Sequence, residues 1–545
     1  MNYNELADVL FPDIHTTRED MEERFPKRDL PDGAVVTRIG PSPTGFVHLG
    51  NLYNALIGER LAHQSGGVIF LRIEDTDSKR EVPGAVETVI NAMSYYEVYF
   101  DEGAVADGDK GAYGPYRQRQ RKDIYQTIAK WIVQQGKAYP CFLTEEEVAA
   151  IREEQTANKE DIGIYGKYAE KMRNLSIEEI KARIEAGEEW VLRYKGELNT
   201  DRITVDDAIR GRLEMPRNFL DFIILKSDGI PTYHFAHVCD DHFMRTTHVI
   251  RGEEWIPSLP IHVELFDILG WEKPLYCHTA TLMKIDGNSK RKLSKRKDPE
   301  LALAYYQEEG ISKDAVWEFL LTILNSNYEE WRMANPGVDY HEFPYSLEKM
   351  SNSGALVDLD KLRDVSKNVI CAMTAEEVYE KWYGWCTQFN KEFASLLEKY
   401  KDRTLAALAV GRGGEKPRRD LETWKQACEF MSLYYDETFK IEDEMPEQCD
   451  AEMVKAFFKR YLEVTDYNDD SSAWFGKVKE LTDEFGFAVK PKDYKKNPDA
   501  YKGSIVHVTN MLRVALTGRS NAPDIWEVTH VLGREMAEER LRKWC

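Results

Sequence analysis

The chain has 545 residues, with 73 Lys and Arg against 95 Asp and Glu, a net charge of −22. At roughly 150 residues per domain this length holds about three to four domains, and 42% hydrophobic with 31% charged residues is an ordinary globular composition. The acidity excludes a protein that coats itself with nucleic acid indiscriminately; it leaves room for local basic patches, because charges act strongly only within about 8–10 Å.

Eight cysteines, Cys141, Cys239, Cys277, Cys371, Cys386, Cys428, Cys449 and Cys545, include no CxC or CxxC pair. A zinc knuckle has no framework here, and reduced thiols are expected. Residues 1–33 read as a polar leader without the basic and apolar segments of a secretory signal. No apolar run approaches the roughly 18 residues that span a bilayer. The expectation is a soluble, cytoplasmic protein that does not engage membranes.

The leader ends at the turn Pro31-Asp32-Gly33. Ala34 to Ile39 then reads as a short buried strand, broken by Gly40-Pro41-Ser42-Pro43-Thr44-Gly45. Leu49, Leu52, Tyr53, Leu56, Ile57 and Leu61 fall on one helical face, predicting a helix from near His48 to just before Gly66-Gly67. A second strand follows from Val68 to Ile73. Strand, Gly/Pro loop, helix and strand in about 40 residues make a βαβ unit of a nucleotide-binding sheet. Residues 95–220 read as mixed α+β, with one charged helical stretch from Thr144 to Asn174 and a β-like segment at Trp190 to Tyr194. Sheet character resumes at Asp221 to Leu225 and at Thr247 to Ile250, followed by a helix near Ser258 to Leu269. From about 326 the chain reads as helical. The simplest account is one α/β domain, 34–94 and 221–325, split by an insertion at 95–220.

The strand ends carry the chemistry. Arg38 closes the first strand, Glu74 follows the second and Arg251 follows the late one. Ligands of open α/β sheets bind at the carboxyl ends of strands, so two guanidinium groups and one acid would meet in one crevice. That set suits an amino acid with an acidic side chain, since a guanidinium can grip a carboxylate with two parallel bonds. The loop at 40–45 leads into a helix N-terminus, which attracts anions; His48 could donate to a phosphate or serve only as the helix cap. Lys290-Arg291-Lys292-Leu293-Ser294-Lys295-Arg296-Lys297 holds six basic residues in eight after the turn Asp286-Gly287-Asn288. It reads either as a mobile loop that swings onto a triphosphate or as a solvated face.

RIGPSPTGFVHLGN (38–51), RIEDTD (72–77), SDGIPTYHFAHVCDDH (227–242), IRGEEW (250–255) and KLSKR (292–296), in this order, resemble the bacterial glutamyl-tRNA synthetases. They are similar to the class I signatures written HIGH and KMSKS, and the resemblance extends to LRVALTG at 512–518. It implies a Rossmann-type catalytic domain split by an insertion that contacts the acceptor stem (95–220). A helical stem-contact domain at 326–385 and an α-helical anticodon-binding domain at 386–545 follow. The implied substrates are L-glutamate, ATP carried with Mg²⁺, and tRNA(Glu); the family default is a monomer. By resemblance Arg38, Tyr233 and Arg251 hold the side-chain carboxylate, with Ser42 and Glu74 around the α-amino group. Pro43, Thr44, His48, Gly50, Asn51 and Lys295 serve ATP, and His48, Lys292, Ser294 and Lys295 the chemical step. Relatives often carry Asn where this chain has His237, so His237 stands as a further glutamate contact. The signature here reads His48-Leu49-Gly50-Asn51, without its second histidine. Tyr139-Pro140-Cys141-Phe142 keeps a single Cys where some members cluster several, so neither zinc nor any other protein-held metal is expected. Arg412, Arg418, Arg419, Trp424 and Tyr434 are candidates for contacting splayed RNA bases, although aromatic residues at helical spacing are more often core.

Overall fold

The computed structural model describes residues 1–77, 82–198, 201–294, 296–414 and 417–545. The chain forms two compact units, Met1–Tyr305 with Trp317–Asp358, and Tyr306–Val316 with Leu359–Cys545.

In the first unit the βαβ start is present. Val36–Ile39 is a fully buried strand, paired in parallel with Val68–Leu71 from Val36↔Val68 to Ile39↔Leu71. Between them runs the helix Leu49–Gln64. Val68–Leu71 in turn pairs in parallel with Glu102–Ala104. The second half repeats the pattern in the other direction. His248–Gly252 pairs in parallel with Leu275–Thr279 across the helix Leu259–Leu269. The halves meet where the Thr247 amide donates to the Val36 carbonyl at 3.0 Å. From that border one crossover leads to Val68 and the other to Leu275. This is a topological switch point, where the strand ends open a crevice.

The insertion is α+β as expected, but it does not stand apart. Ala138–Cys141, Val191–Tyr194 and Ile223–Leu225 form one antiparallel sheet. The hairpin Arg202–Asp207 with Gly211–Pro216 instead joins the late catalytic strands, through Asp207 beside Tyr276. The expected single helix from Thr144 to Asn174 is two, Glu145–Asn158 and Lys167–Arg173. The Gln155 amide bonds Gly163 in both directions and holds the loop that separates them.

The leader is folded. Helices Tyr3–Leu10 and Arg18–Arg24 bury Leu6, Leu10, Phe11, Met21 and Phe25. Arg28 grips Glu102 with two bonds of 2.9 and 3.0 Å.

The described part of the second unit is helical, with two hydrophobic cores. One gathers Trp382, Trp424, Tyr434 and Tyr435; the other gathers Phe457, Phe458, Tyr461, Trp474 and Leu512. The helix Ala375–Phe389 runs unbroken through position 386.

Candidate active site

Arg38, Arg251 and Glu74 do converge at the switch point, and a second carboxylate, Glu254, lines the same cleft. Arg38, Glu74 and Arg251 line one cleft of about 330 Å³, together with Ser42, Thr44, His48, Asn51, Tyr233 and Trp255. Pro43 lines a smaller recess of about 160 Å³ that continues it past Ser42 and Glu74.

Each charge is held differently. Arg38 Nε donates to both Asp241 oxygens at 3.1 and 3.3 Å, so its charge is compensated from behind. Arg72, fully buried, bonds Asp241 at 2.6 Å and Glu74 at 3.0 Å. Burial pushes the Glu74 carboxyl up, against the pull of Arg72 and Arg38. Gly40 allows this packing: a Cβ there would lie 2.3 Å from Glu74 Oε1.

Arg251 is the exception. It is 5% exposed, and among the described residues no carboxylate lies within 4 Å of its guanidinium. Its partners are neutral: His278 Nε2 at 3.0 Å, Tyr233 Oη at 3.3 Å and His262 Nδ1 at 3.3 Å. Beneath it lies the ring of Tyr276, 4.9 Å away. Burial, then neighbouring His237 and Arg251, keep His262 well below the usual imidazole range. Burial and Arg251 hold His234 down at about 4. The pocket is therefore a buried cation surrounded by dipoles, an arrangement that strongly favours an incoming anion.

His48 caps the helix Leu49–Gln64: its Nδ1 accepts from the Asn51 amide at 3.2 Å, and Asn51 Oδ1 accepts from the His48 amide at 3.0 Å. Because Nδ1 is an acceptor, the proton of the neutral ring sits on Nε2. Both readings of His48 thus hold in one side chain, since the cap fixes the tautomer whose Nε2–H can donate. His48 also lines a second cavity of about 270 Å³ with Gly50, Lys292 and Leu293. His48, Asn54, Gly252 and Glu254 line both cavities. A group bridging them would lie at the helix N-terminus, where anions are favoured.

The start of the basic run, Lys290 to Lys292, belongs to a hairpin strand. Leu282–Asp286 pairs antiparallel with Ser289–Lys292. Asp298 bonds Arg291 at 2.6 and 2.7 Å and accepts from the Ser294 amide at 2.8 Å, which ties it to the end of the hairpin. Lys292 is exposed at the strand end, Ser294 lies beside the cavity without lining it, and Lys295 falls outside the described residues.

Residues 34–343 match the family described as tRNA synthetases class I (E and Q), catalytic domain, and residues 499–545 match an anticodon binding domain. A glutamate–tRNA ligase of Acetivibrio thermocellus is 54% identical over 545 residues, the whole of both chains. The chain belongs to the glutamate–tRNA ligase family. Another member, from Clostridium perfringens strain 13, is 48% identical over 99% of this chain and 100% of its own. A crystal structure titled as a glutamate tRNA ligase from Elizabethkingia meningosepticum in complex with its amino acid superposes with a TM-score of 0.75. It is 26% identical and covers 94% of this chain and 99% of that one.

Within this ligase fold some expected contacts sit elsewhere. His237 is fully buried and does not line the cleft: Nδ1 is 2.8 Å from Asp241 and Nε2 3.1 Å from Tyr276 Oη. It supports the floor rather than facing a ligand. In the second unit Trp424 and Tyr434 are 4% and 0% exposed, packed in the core, and offer no face to a base. Arg412 is spent on helix ends, donating to the carbonyls of Leu408, Ile370 and Met373. Arg418 pairs with Asp420 at 2.6 Å and lies over Phe430. Arg419, bonded to Asn368, is exposed. Sequence reasoning missed Arg72, Asp241, Trp255, His262 and His278. Asp241 is legible in part, as one of two adjacent acids in a helix, Tyr233–Phe243, that also buries Phe235, Val238 and Cys239. Among the described residues no group of three potential ligands gathers to hold a metal, and no helix is long and apolar enough to cross a membrane.

Proposed function

We propose that this chain activates L-glutamate with MgATP to glutamyl-adenylate and transfers it to the 3′-terminal adenosine of tRNA(Glu), releasing pyrophosphate and AMP. One observation carries the substrate: Arg251 is a buried cation whose described partners are all neutral, in a cleft shared with Arg38 and Glu74. The side-chain carboxylate completes Arg251, with Arg38 and Tyr233 beside it, and the α-ammonium group faces Glu74 and Ser42. A glutamine amide would leave the guanidinium without a counter-charge, which is expensive in a buried site.

That placement directs the α-carboxylate toward the border of the two cavities. There the α-phosphorus of ATP lies over the helix N-terminus, within reach of the His48 Nε2–H. Pro43, Thr44, Gly50 and Asn51 shape the nucleotide path, and Lys292, Ser294 and Lys295 neutralise charge developing on the phosphates. The step is an in-line displacement that needs positioning and charge stabilisation rather than a protein nucleophile. The match of residues 499–545 to an anticodon binding domain supports tRNA contact by the helical C-terminal region, with the insertion at the acceptor stem. The protein acts in the cytoplasm as a monomer. Aminoacylation of purified tRNA(Glu) with radiolabelled amino acids tests the reading: glutamate is charged, and charging of glutamine at a comparable rate overturns it.

A further inference from the structure

Behind Arg251, on the side away from the cleft, stands a buried chain of polar groups that the reaction itself does not use. Arg251 Nε donates to His278 Nε2 at 3.0 Å, and His278 Nδ1 lies 2.6 Å from Asp207 Oδ2. Both His278 and Asp207 are shielded from solvent, at 0% and 4% exposure. Asp207 also accepts from the amides of His278 (3.1 Å), Ile209 (3.0 Å) and Arg210 (2.8 Å). Burial pushes its carboxyl up, but these bonds and His278 outweigh burial and keep it ionised.

The geometry admits one proton arrangement. Nε2 must be an acceptor to meet Arg251 Nε–H, so the imidazole proton sits on Nδ1 and points at Asp207. Burial holds His278 below its ordinary pKa, so the ring stays neutral. The interposed ring has a consequence that a direct Asp–Arg pair would lack. It fixes one edge of the guanidinium while keeping the carboxylate one residue away, so the positive charge of Arg251 is oriented without being neutralised.

We propose that Asp207 and His278 are positioning residues for Arg251, and that this relay sets the affinity for the substrate's side-chain carboxylate. Asp207 belongs to the hairpin Arg202–Asp207 and Gly211–Pro216, so a residue of the inserted segment tunes the amino-acid pocket. The inference rests on the reading of Arg251 as the carboxylate anchor.

The test is steady-state kinetics on the full chain, with the KM for glutamate and the KM for ATP measured separately. His278→Phe removes the acceptor and raises the glutamate KM roughly tenfold or more, with the ATP KM unchanged; His278→Gln, which supplies an acceptor and a donor, recovers most of the loss. Asp207→Asn acts through the tautomer: its NH₂ favours Nδ1 as acceptor, which turns an N–H toward Arg251 Nε–H. Its effect on the glutamate KM should vanish in the His278→Phe background, since the two act as one unit. A glutamate KM within twofold of wild type in His278→Phe, or equal rises in both KM values, overturns the relay. Should His278→Phe not fold, an unchanged glutamate KM in Asp207→Asn does the same. Arg251→Ala separates the two levels. If it leaves glutamate saturation intact, the anchor reading itself fails; if it abolishes saturation while the relay variants are silent, only the relay fails.

Discussion

Arg38 and Asp241, 203 positions apart, are joined by bonds from Nε to both carboxylate oxygens, at 3.1 and 3.3 Å. The same carboxylate takes Arg72 at 2.6 Å, so one buried acid serves two guanidinium groups beneath the cleft. Burial raises its pKa in principle, but Arg38, Arg72 and His237 outweigh that and hold it well below the usual carboxylate range. Asp241→Asn leaves two buried cations under-compensated. Unfolding free energy should fall by about 3 kcal/mol or more, and the glutamate KM should rise as Arg38 loses its fixed edge. Urea unfolding and substrate saturation measure the two effects. A variant as stable as wild type would mean that the cluster is better hydrated than its burial indicates.

His48 combines a cap and a donor, and these can be separated. Asparagine is among the best N-caps, so His48→Asn should keep the helix and shift the melting temperature by no more than roughly 2 °C. It lacks the Nε2–H at the same reach, and losing one donor to transition-state charge typically costs roughly 100- to 1000-fold in kcat. Adenylate formation at near wild-type rates in His48→Asn would show that the histidine is a cap and nothing more.

The legible part of the fold is the part with strict local signals. The Gly/Pro loop, the apolar face from Leu49 to Leu61 and the short buried strands located the βαβ unit, and charged residues at strand ends located the cleft. What stayed hidden depends on contacts distant in sequence. Nothing near Asp207 announces that it will reach His278, because the register of an inserted hairpin against a later strand is tertiary information. For Trp424 and Tyr434 the core alternative holds, and for a related reason the sequence leaves it open: an aromatic residue beside arginines reads the same whether it faces RNA or a core, and only packing decides. The basic run at 290–297 is legible as a charge pattern, whereas the pairing of its first residues with Leu282–Asp286 and the bonds from Asp298 to Arg291 and the Ser294 amide are not.

The leader at 1–33 has a structural role that can be measured. Its apolar residues Leu6, Leu10, Phe11, Met21 and Phe25 are buried. Glu22 accepts from Arg245 at 2.7 Å and lies 2.7 Å from His242 Nε2, and His242 stacks on Trp271 at 3.8 Å. Fully burying even two such side chains contributes about 3–6 kcal/mol. Deleting residues 1–28 should lower the melting temperature by at least about 5 °C and expose Trp271 to quenchers. An unchanged thermal transition would show that the leader merely lies on the surface.

The buried histidines fix the sign of the pH dependence. Burial, followed by Arg251 and Arg38, depresses His237 to about 3 even though Asp241 opposes the shift. His234 is held at about 4. In the unfolded chain both titrate near about 6.5. Between those values the unfolded state binds protons that the folded state refuses, so stability is fully present above about pH 6.5 and is lost progressively below it. For His237 the slope approaches about 1.4 kcal/mol per pH unit. His63 acts in the opposite direction: its bonds to Asp101 and Glu59 raise it to about 9, so its contribution is complete below about pH 6.5 and fades as the pH rises through 9. Urea midpoints measured from pH 5 to 9 should therefore peak near neutrality. His237→Asn, which cannot titrate, should flatten the acidic limb and leave the alkaline limb unchanged; an acidic limb as steep as in wild type would assign the effect to other groups.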